Sequence, residues 1–99
     1  MLSQNEMDAL RARLRNNWSP PVGAEKVSVT IYVMLGRDGR FAAPPRFATS
    51  GQGALFDAAR EAALRAILLS APFNMLRQET FEAWREMELV FDETLAATR

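Results

Sequence analysis

The densest group of side chains that could support catalysis or bind a cation consists of carboxylates near the C-terminal end of the sequence. Six acidic side chains lie close together there: Glu79, Glu82, Glu86, Glu88, Asp92 and Glu93. Grouped carboxylates suit acid–base catalysis or the binding of a hard cation such as Ca²⁺. The pattern places these six on both a helix and a strand, so they cannot all converge, and no apolar pocket is evident around them. We therefore predict a solvated acidic surface, with no catalytic residue, no cofactor and no metal site.

Composition narrows the function further. The 99 residues include no cysteine and no histidine. This excludes a disulfide framework and a cysteine-based metal site, and it argues against triad hydrolases and zinc enzymes. The net charge is zero, with seven basic and four acidic residues in the first fifty and five and eight in the remainder. A nucleic-acid-binding domain is expected to be net basic, so we predict a protein-binding domain that is not an enzyme.

The elements that position the acidic group are organised around one stretch of alternating residues. Val27–Leu35 has the two-residue period of a strand. Its predicted inward residues are Val27, Val29, Ile31, Val33 and Leu35. Gly36–Gly39 contains an Asp between two glycines and predicts a tight reversal. Val27–Leu35 is therefore predicted to be the central strand of a sheet.

The returning strand is predicted over Arg40–Thr49, with Phe41 and Phe47 facing the core. Pro44 and Pro45 interrupt it. Because proline has no N–H to donate, this strand is predicted to lie at a sheet edge.

Two helices flank these strands in the sequence. Ser3 and Glu6 predict a capping box at the start of a helix over residues 4–16, which Trp18–Pro21 ends. A longer helix is predicted over Ala54–Leu69. The stripe predicted to face the sheet is Leu55, Ala59, Ala62, Ala66 and Leu69, widened by Phe56 and Ile67.

Strand alternation returns near the C-terminus. After a short helical turn within Met75–Ala83, the pattern predicts a strand over Trp84–Asp92. Its predicted inward residues are Met87, Leu89 and Phe91, and its predicted outward residues are Glu86, Glu88 and Val90. The remaining tail, Glu93–Arg99, is polar and is predicted to fray.

The order helix, strand, strand, helix, strand predicts one α+β domain over residues 1–99. A right-handed crossover places the third strand beside the first, giving a three-stranded antiparallel sheet of order 2-1-3. Helices covering one face would complete a two-layer sandwich. The third strand is then an edge without proline that can pair with a partner's peptide. The predicted partner-binding residues are Arg85, Glu86, Met87, Glu88, Leu89, Val90 and Phe91. In the alternative reading, Glu86 and Glu88 only protect the edge from aggregation.

An ordered set of segments resembles the C-terminal domains of the TonB/TolA family, across about residues 2–92. The segments that carry it are Leu2-Ser3 with Glu6, Trp18–Pro21, Val27–Leu35 with Asp38-Gly39, Ala58–Ala66, Pro72-Phe73, Phe81–Trp84 and Glu88–Asp92. The Trp18–Pro21 cluster and the Phe81–Trp84 element resemble the TolA branch of this family.

The resemblance implies a TonB/TolA C-terminal-like fold and a role in the periplasm. The domain would be the tip of a protein anchored in the inner membrane through a preceding segment. It would bind TolB and Pal, couple the proton-motive force to the outer membrane during cell division, and serve colicins and filamentous phage coat proteins as an entry point. The alternative is a TonB-type transducer tip that binds outer-membrane receptor peptides. Neither implies bond-making chemistry.

The sequence departs from the family pattern at two places. Many relatives carry a pair of cysteines where this chain has Asn17 and Ser70, and this paired loss fits one absent disulfide. Relatives often have Leu-Pro where this chain has Leu76-Arg77, which leaves the local path of residues 74–79 open.

Overall fold

The middle strand of a three-stranded antiparallel sheet organises this fold. The computed structural model describes residues 1–97. Its elements, in chain order, are α1 (Gln4–Asn16), a 3₁₀ turn (Ala24–Lys26), β1 (Val29–Leu35), β2 (Phe41–Phe47), α2 (Ala54–Ser70), a second 3₁₀ turn (Gln78–Thr80), α3 (Phe81–Trp84), β3 (Glu86–Phe91) and α4 (Glu93–Ala97). The predicted α+β class and the strand order 2-1-3 are confirmed.

Strand β1 is paired on both sides and has one fully buried face. Val29, Ile31 and Val33 have no exposed surface, and Leu35 is 3% exposed, so four of the five predicted inward residues are confirmed. The strand begins at Val29, two residues later than predicted. The reason is the 3₁₀ turn before it, in which the Val27 N–H donates to the carbonyl of Ala24 at 3.1 Å. Val27 is half-buried against the core.

Strand β2 pairs with β1 irregularly because of its prolines. Tyr32 lies opposite Arg46, but Met34 lies opposite Ala43, so β2 has one extra residue where Pro44 and Pro45 occur. Such a bulge accommodates residues that cannot donate to the ladder. The predicted edge position of this strand is confirmed.

The helices pack their apolar residues against the buried face of the sheet. Leu10 and Leu14 of α1, together with Trp18, join the strand residues in one core, and the Trp18 ring lies 5.8 Å from that of Phe91. The stripe predicted for α2 is wrong at both ends, since Leu55 is 48% exposed and Leu69 is 60% exposed. The buried residues are Phe56, Ala59, Ala63, Ala66, Ile67 and Ser70. Phe56 and Ile67, predicted to widen the stripe, are buried, and the helix is rotated towards them and away from the two leucines.

The tail after β3 also differs from the sequence-based expectation. Residues Glu93–Ala97 form α4, and the Asp92 side chain accepts a hydrogen bond from the Thr94 N–H at 2.9 Å, as a helix cap does. Leu95 is 6% exposed and belongs to the core. The polarity of the tail predicts fraying, but one leucine anchors this turn. Residues 98 and 99 of the predicted tail lie outside the described residues.

Gly39 joins the β1–β2 turn to the segment that follows α2. Its carbonyl accepts a hydrogen bond from the Phe73 N–H at 2.8 Å, and its φ is +77°. A Cβ at this position would lie 2.8–2.9 Å from backbone atoms of Phe73. Only glycine combines this φ with so close an approach of two backbones.

Glu6 joins the start of α1 to the chain that precedes β3. The predicted capping box is present, and the Glu6 carboxylate also accepts hydrogen bonds from the Arg77 N–H at 2.8 Å and the Thr80 hydroxyl at 2.7 Å. The residue is 3% exposed. These donors, the Arg77 N–H above all, lower the pKa of Glu6 from 4.5 to about 2.

Replacing Gly39 by alanine should destabilise the domain by about 3 kcal/mol, because the backbone strain of a positive φ adds to a clash with Phe73. Gly53→Ala is the matched control, since Gly53 has a φ of +103° but no atom lies within 4 Å of the place that its Cβ would take. Its expected cost is about 1–2 kcal/mol of strain alone. Urea unfolding of both variants measures the difference, and equal losses would contradict the clash.

Replacing Glu6 by glutamine should lower the free energy of unfolding at neutral pH by about 1–3 kcal/mol, since charge-assisted hydrogen bonds are lost. The lowered pKa makes this contribution complete above pH 4.5 and progressively lost as the pH falls towards 2. The gap between the variant and the parent protein should therefore close in acid.

Urea unfolding at a series of pH values measures this effect. Asp8→Asn removes an exposed carboxylate of the same helix, bonded only to Gln4 among the described residues, and should change stability little. A gap for Glu6→Gln that stays constant down to pH 2 would contradict the assigned role.

Candidate functional site

Strand β3 has one unpaired edge. It lies at the end of the sheet, and within residues 1–97 no strand pairs with its outer side. The Leu35 N–H donates to the Arg85 carbonyl at 2.8 Å, and these two residues continue the register between β1 and β3. Arg85 and every second residue after it therefore bond to β1. In an antiparallel pair, residues alternate between bonding the neighbouring strand and pointing away from it. The outward N–H and C=O groups therefore belong to Glu86, Glu88 and Val90.

The side chains of β3 alternate as predicted. Leu89 is 7% exposed and Phe91 is 1% exposed, while Met87 is half-buried against the core. Glu86, Glu88 and Val90 are exposed on the opposite face of the sheet. The edge thus presents apolar side chains towards the helices. It presents mainly acidic side chains on the face of the sheet opposite the helices, which we call the open face.

A groove of about 580 Å³ runs beside this edge. Strand β3 forms one wall, and the other is formed by α1 and the turn of α4. The apolar residues that line it include Leu2, Met7, Leu10, Leu14, Met87, Leu89 and Leu95. Its charged lining residues are Arg11, Glu86, Glu88 and Asp92. Side chains of a strand added to β3 would point alternately into this groove and towards the open face.

Sequence reasoning misses the contribution of α1 to this groove. The spacing of Met7, Leu10 and Leu14 predicts only the core-facing stripe of a helix. Their position at the edge depends on where α1 crosses the sheet, and the Glu6 contacts with Arg77 and Thr80 are among those that hold α1 there. Spacing within one helix carries no signal for such a neighbour.

The open face next to the edge carries a polar cluster. The Tyr32 hydroxyl donates a hydrogen bond to the Glu86 carboxylate, and this bond raises the pKa of Tyr32. The Arg46 guanidinium lies 5.1 Å from the centre of the Tyr32 ring. Within the part of the chain that the structure describes, Glu88 makes no hydrogen bond or ion pair, so its carboxylate is open to a partner.

The ends of the predicted binding set have structural contacts of their own. Arg85 pairs with Glu82 at 3.2 Å and lies over the Phe81 ring at 5.6 Å. Phe91 is buried against Trp18. Among the seven predicted residues, those that face the free edge or the groove are Glu86, Met87, Glu88, Leu89 and Val90.

Two of the six carboxylates considered for chemistry pair with arginines. Glu79 pairs with Arg77 at 3.6 Å, and Glu82 pairs with Arg85. Among residues 1–97, no three acidic side chains are placed to hold a metal ion.

A second apolar surface lies on α2, away from the edge. Leu55, Leu68 and Leu69 are each about half exposed there. A smaller groove of about 350 Å³ lies near Leu69, between α2 and the segment that follows α1.

Comparison with known proteins identifies one family. Its model, described as "Uncharacterised conserved protein UCP034077", matches residues 2–81, which extend from α1 to the first residue of α3. No curated protein and no solved structure matches the chain. No helix within residues 1–97 is long and apolar enough to cross a membrane. Because the match covers most of its length, the chain belongs to the UCP034077 family.

Proposed function

We propose that this domain is a protein-interaction module that binds an extended peptide by strand addition at β3. The observation that carries the proposal is the unpaired edge of β3 beside a groove of about 580 Å³ in which most of the lining residues are apolar. Strand addition needs both features, because main-chain hydrogen bonds supply affinity and pockets under alternate side chains supply selectivity.

The geometry matches the two requirements. The outward N–H and C=O groups of Glu86, Glu88 and Val90 are available to a guest strand. Alternate guest side chains would enter the groove and contact Met87 and Leu89 on one side and α1 on the other. The burial of apolar guest side chains there would contribute about 25 cal/mol per Å².

We further propose that the domain has a TonB/TolA C-terminal-like fold. The element order and the strand order 2-1-3 agree with that expectation. The resemblance also names Asn17 and Ser70 as the positions where many relatives have paired cysteines. The Asn17 side-chain amide donates to the Ser70 hydroxyl at 3.2 Å, across 53 residues of sequence. Contact between these two positions supports the proposal.

Within this proposal, the domain is the periplasmic tip of a Tol-Pal type envelope system. It would bind TolB and Pal and couple the proton-motive force of the inner membrane to the outer membrane during cell division. Colicins and filamentous phage coat protein would bind the same domain. The competing proposal is a TonB-type transducer tip, which would use the same edge to bind receptor peptides of the outer membrane. The two proposals differ in the partner, but in both the partner binds by strand addition at the β3 edge.

Val90→Pro should abolish binding of TolB, because proline removes one outward N–H of the edge and leaves the ladder to β1 intact. Val90→Thr is the matched control, since threonine keeps both the donor and a branched side chain. Calorimetric titration with TolB measures affinity, and circular dichroism establishes that both variants are folded. Unchanged affinity in folded Val90→Pro would exclude this edge.

Purified TolB, purified Pal and a peptide from an outer-membrane siderophore receptor should distinguish the two systems. We expect TolB to bind and to protect the amides of Glu86, Glu88 and Val90 from hydrogen exchange. Binding of the receptor peptide alone would favour the TonB-type function. Binding of none of the three would contradict both.

The double variant Asn17→Cys with Ser70→Cys should form a disulfide on oxidation and raise the melting temperature. A loop of this length gives an entropic stabilisation of up to about 4 kcal/mol. The same variant under reducing conditions is the control. Free thiols that persist after oxidation would contradict the proposed correspondence with the paired cysteines of the resemblance.

A further inference from the structure

We propose that the β3 edge selects a peptide in which basic residues alternate with apolar ones, and that Glu88 determines this choice. The inference rests on the strand addition proposed above and adds the chemistry of the occupant. It follows from the charges at the edge, from the lining of the groove, and from the poor fit of a second copy of this chain to the same edge.

The outward backbone groups determine which guest residues meet the carboxylates. A guest residue directly opposite Glu88 forms a hydrogen-bonded pair with it, with Cα atoms about 5.5 Å apart and both side chains on the same face of the sheet. Glu86 and Glu88 are both on the open face. The guest positions opposite them therefore lie beside two carboxylates, and the positions between them point into the groove.

The two carboxylates differ in their availability. Glu86 already accepts a hydrogen bond from the Tyr32 hydroxyl. Glu88, two residues further along the edge, makes no hydrogen bond or ion pair to any residue that the structure describes, and it lies opposite Tyr32 across the ladder to β1. A lysine or arginine of the guest is the complement that Glu88 lacks.

The guest side chains that point into the groove should be apolar. Its lining beside β3 comes from Met87 and Leu89, and α1 contributes Met7 and Leu10 across from them. This apolar part of the lining favours apolar guest side chains, because a charged one placed against it would lose water. The guest is therefore apolar at every second residue and basic at the residues between.

A second copy of this chain does not meet these requirements. Antiparallel pairing of β3 with its own copy would bring acidic side chains of the two strands close together, and like charges across strands are unfavourable. Strand β2 of a second copy offers Pro44 and Pro45, which cannot donate hydrogen bonds. The edge is thus protected against self-association and open to a basic partner.

Three synthetic peptides of strand length test the charge rule. All have valine at alternate positions, and the positions between are lysine in the first, serine in the second and glutamate in the third. We expect the lysine peptide to bind about tenfold more tightly than the glutamate peptide, with serine between them, as measured by fluorescence anisotropy. The difference should shrink as salt is raised, because these charges are exposed.

Variants of the domain assign the effect to Glu88. Glu88→Lys should reverse the order of the lysine and glutamate peptides, and Glu88→Gln should reduce the difference. Glu61→Lys makes the same change of charge on α2, outside the groove, where Glu61 is exposed and pairs with Arg65 at 3.5 Å. This control should keep the original order.

Hydrogen exchange at Glu86, Glu88 and Val90 separates the failure of this inference from the failure of the proposed function. Equal binding of all three peptides, with protection of these amides, would overturn the charge rule and leave strand addition standing. A preference that Glu88→Lys does not alter would overturn the role of Glu88. Binding of no peptide, or binding without protection at β3, would overturn strand addition and the charge rule with it.

Discussion

The structure depends on the pairing of β1 with a neighbour on each side. Val29, Ile31 and Val33 have no exposed surface, and the strand cannot lose either neighbour without exposing main-chain groups that are costly to leave unpaired. A three-stranded sheet with a fully paired centre necessarily has two edges. What the domain does with these edges decides whether it remains monomeric and what it can bind.

The two edges are treated differently. On β2, Pro44 and Pro45 remove donors and produce a bulge, so this edge is poorly suited to accept another strand. On β3 the main chain is regular and its donors remain. Here only the charges of Glu86 and Glu88 oppose pairing with another strand. A charge discourages partners of the same sign and attracts those of the opposite sign. Glu88 is therefore the basis of the proposed selectivity, and the same charge would discourage pairing of the edge with acidic strands.

Polar contacts between distant segments hold the helix layer in place where the chain has no disulfide. Glu6 bonds α1 to Arg77 and Thr80, and the Trp84 indole N–H donates to the Arg77 carbonyl at 2.7 Å. At the other end of α1, Arg13 donates to the Ser70 carbonyl at 3.0 Å. The bonds of Glu6 and Arg13 thus tie both ends of α1, which forms one wall of the groove beside β3, to distant segments. Stability and the proposed binding site thus share residues that are far from the edge in sequence.

The sequence by itself determined the elements and their order. Alternation identified β1 and β3, the prolines identified β2 as an edge, Ser3 with Glu6 identified the start of α1, and the crossover rule supplied the strand order. These signals are local, because they arise from backbone geometry and from which face of one element is apolar. The tertiary structure decided the rotation of α2, the helical turn at Leu95 and the contribution of α1 to the groove. Each of these depends on competition between apolar residues for the same buried space, as when Phe56 and Ile67 of α2 are buried and Leu55 and Leu69 are not. Such competition is settled only when all the elements pack together, and no single segment contains it.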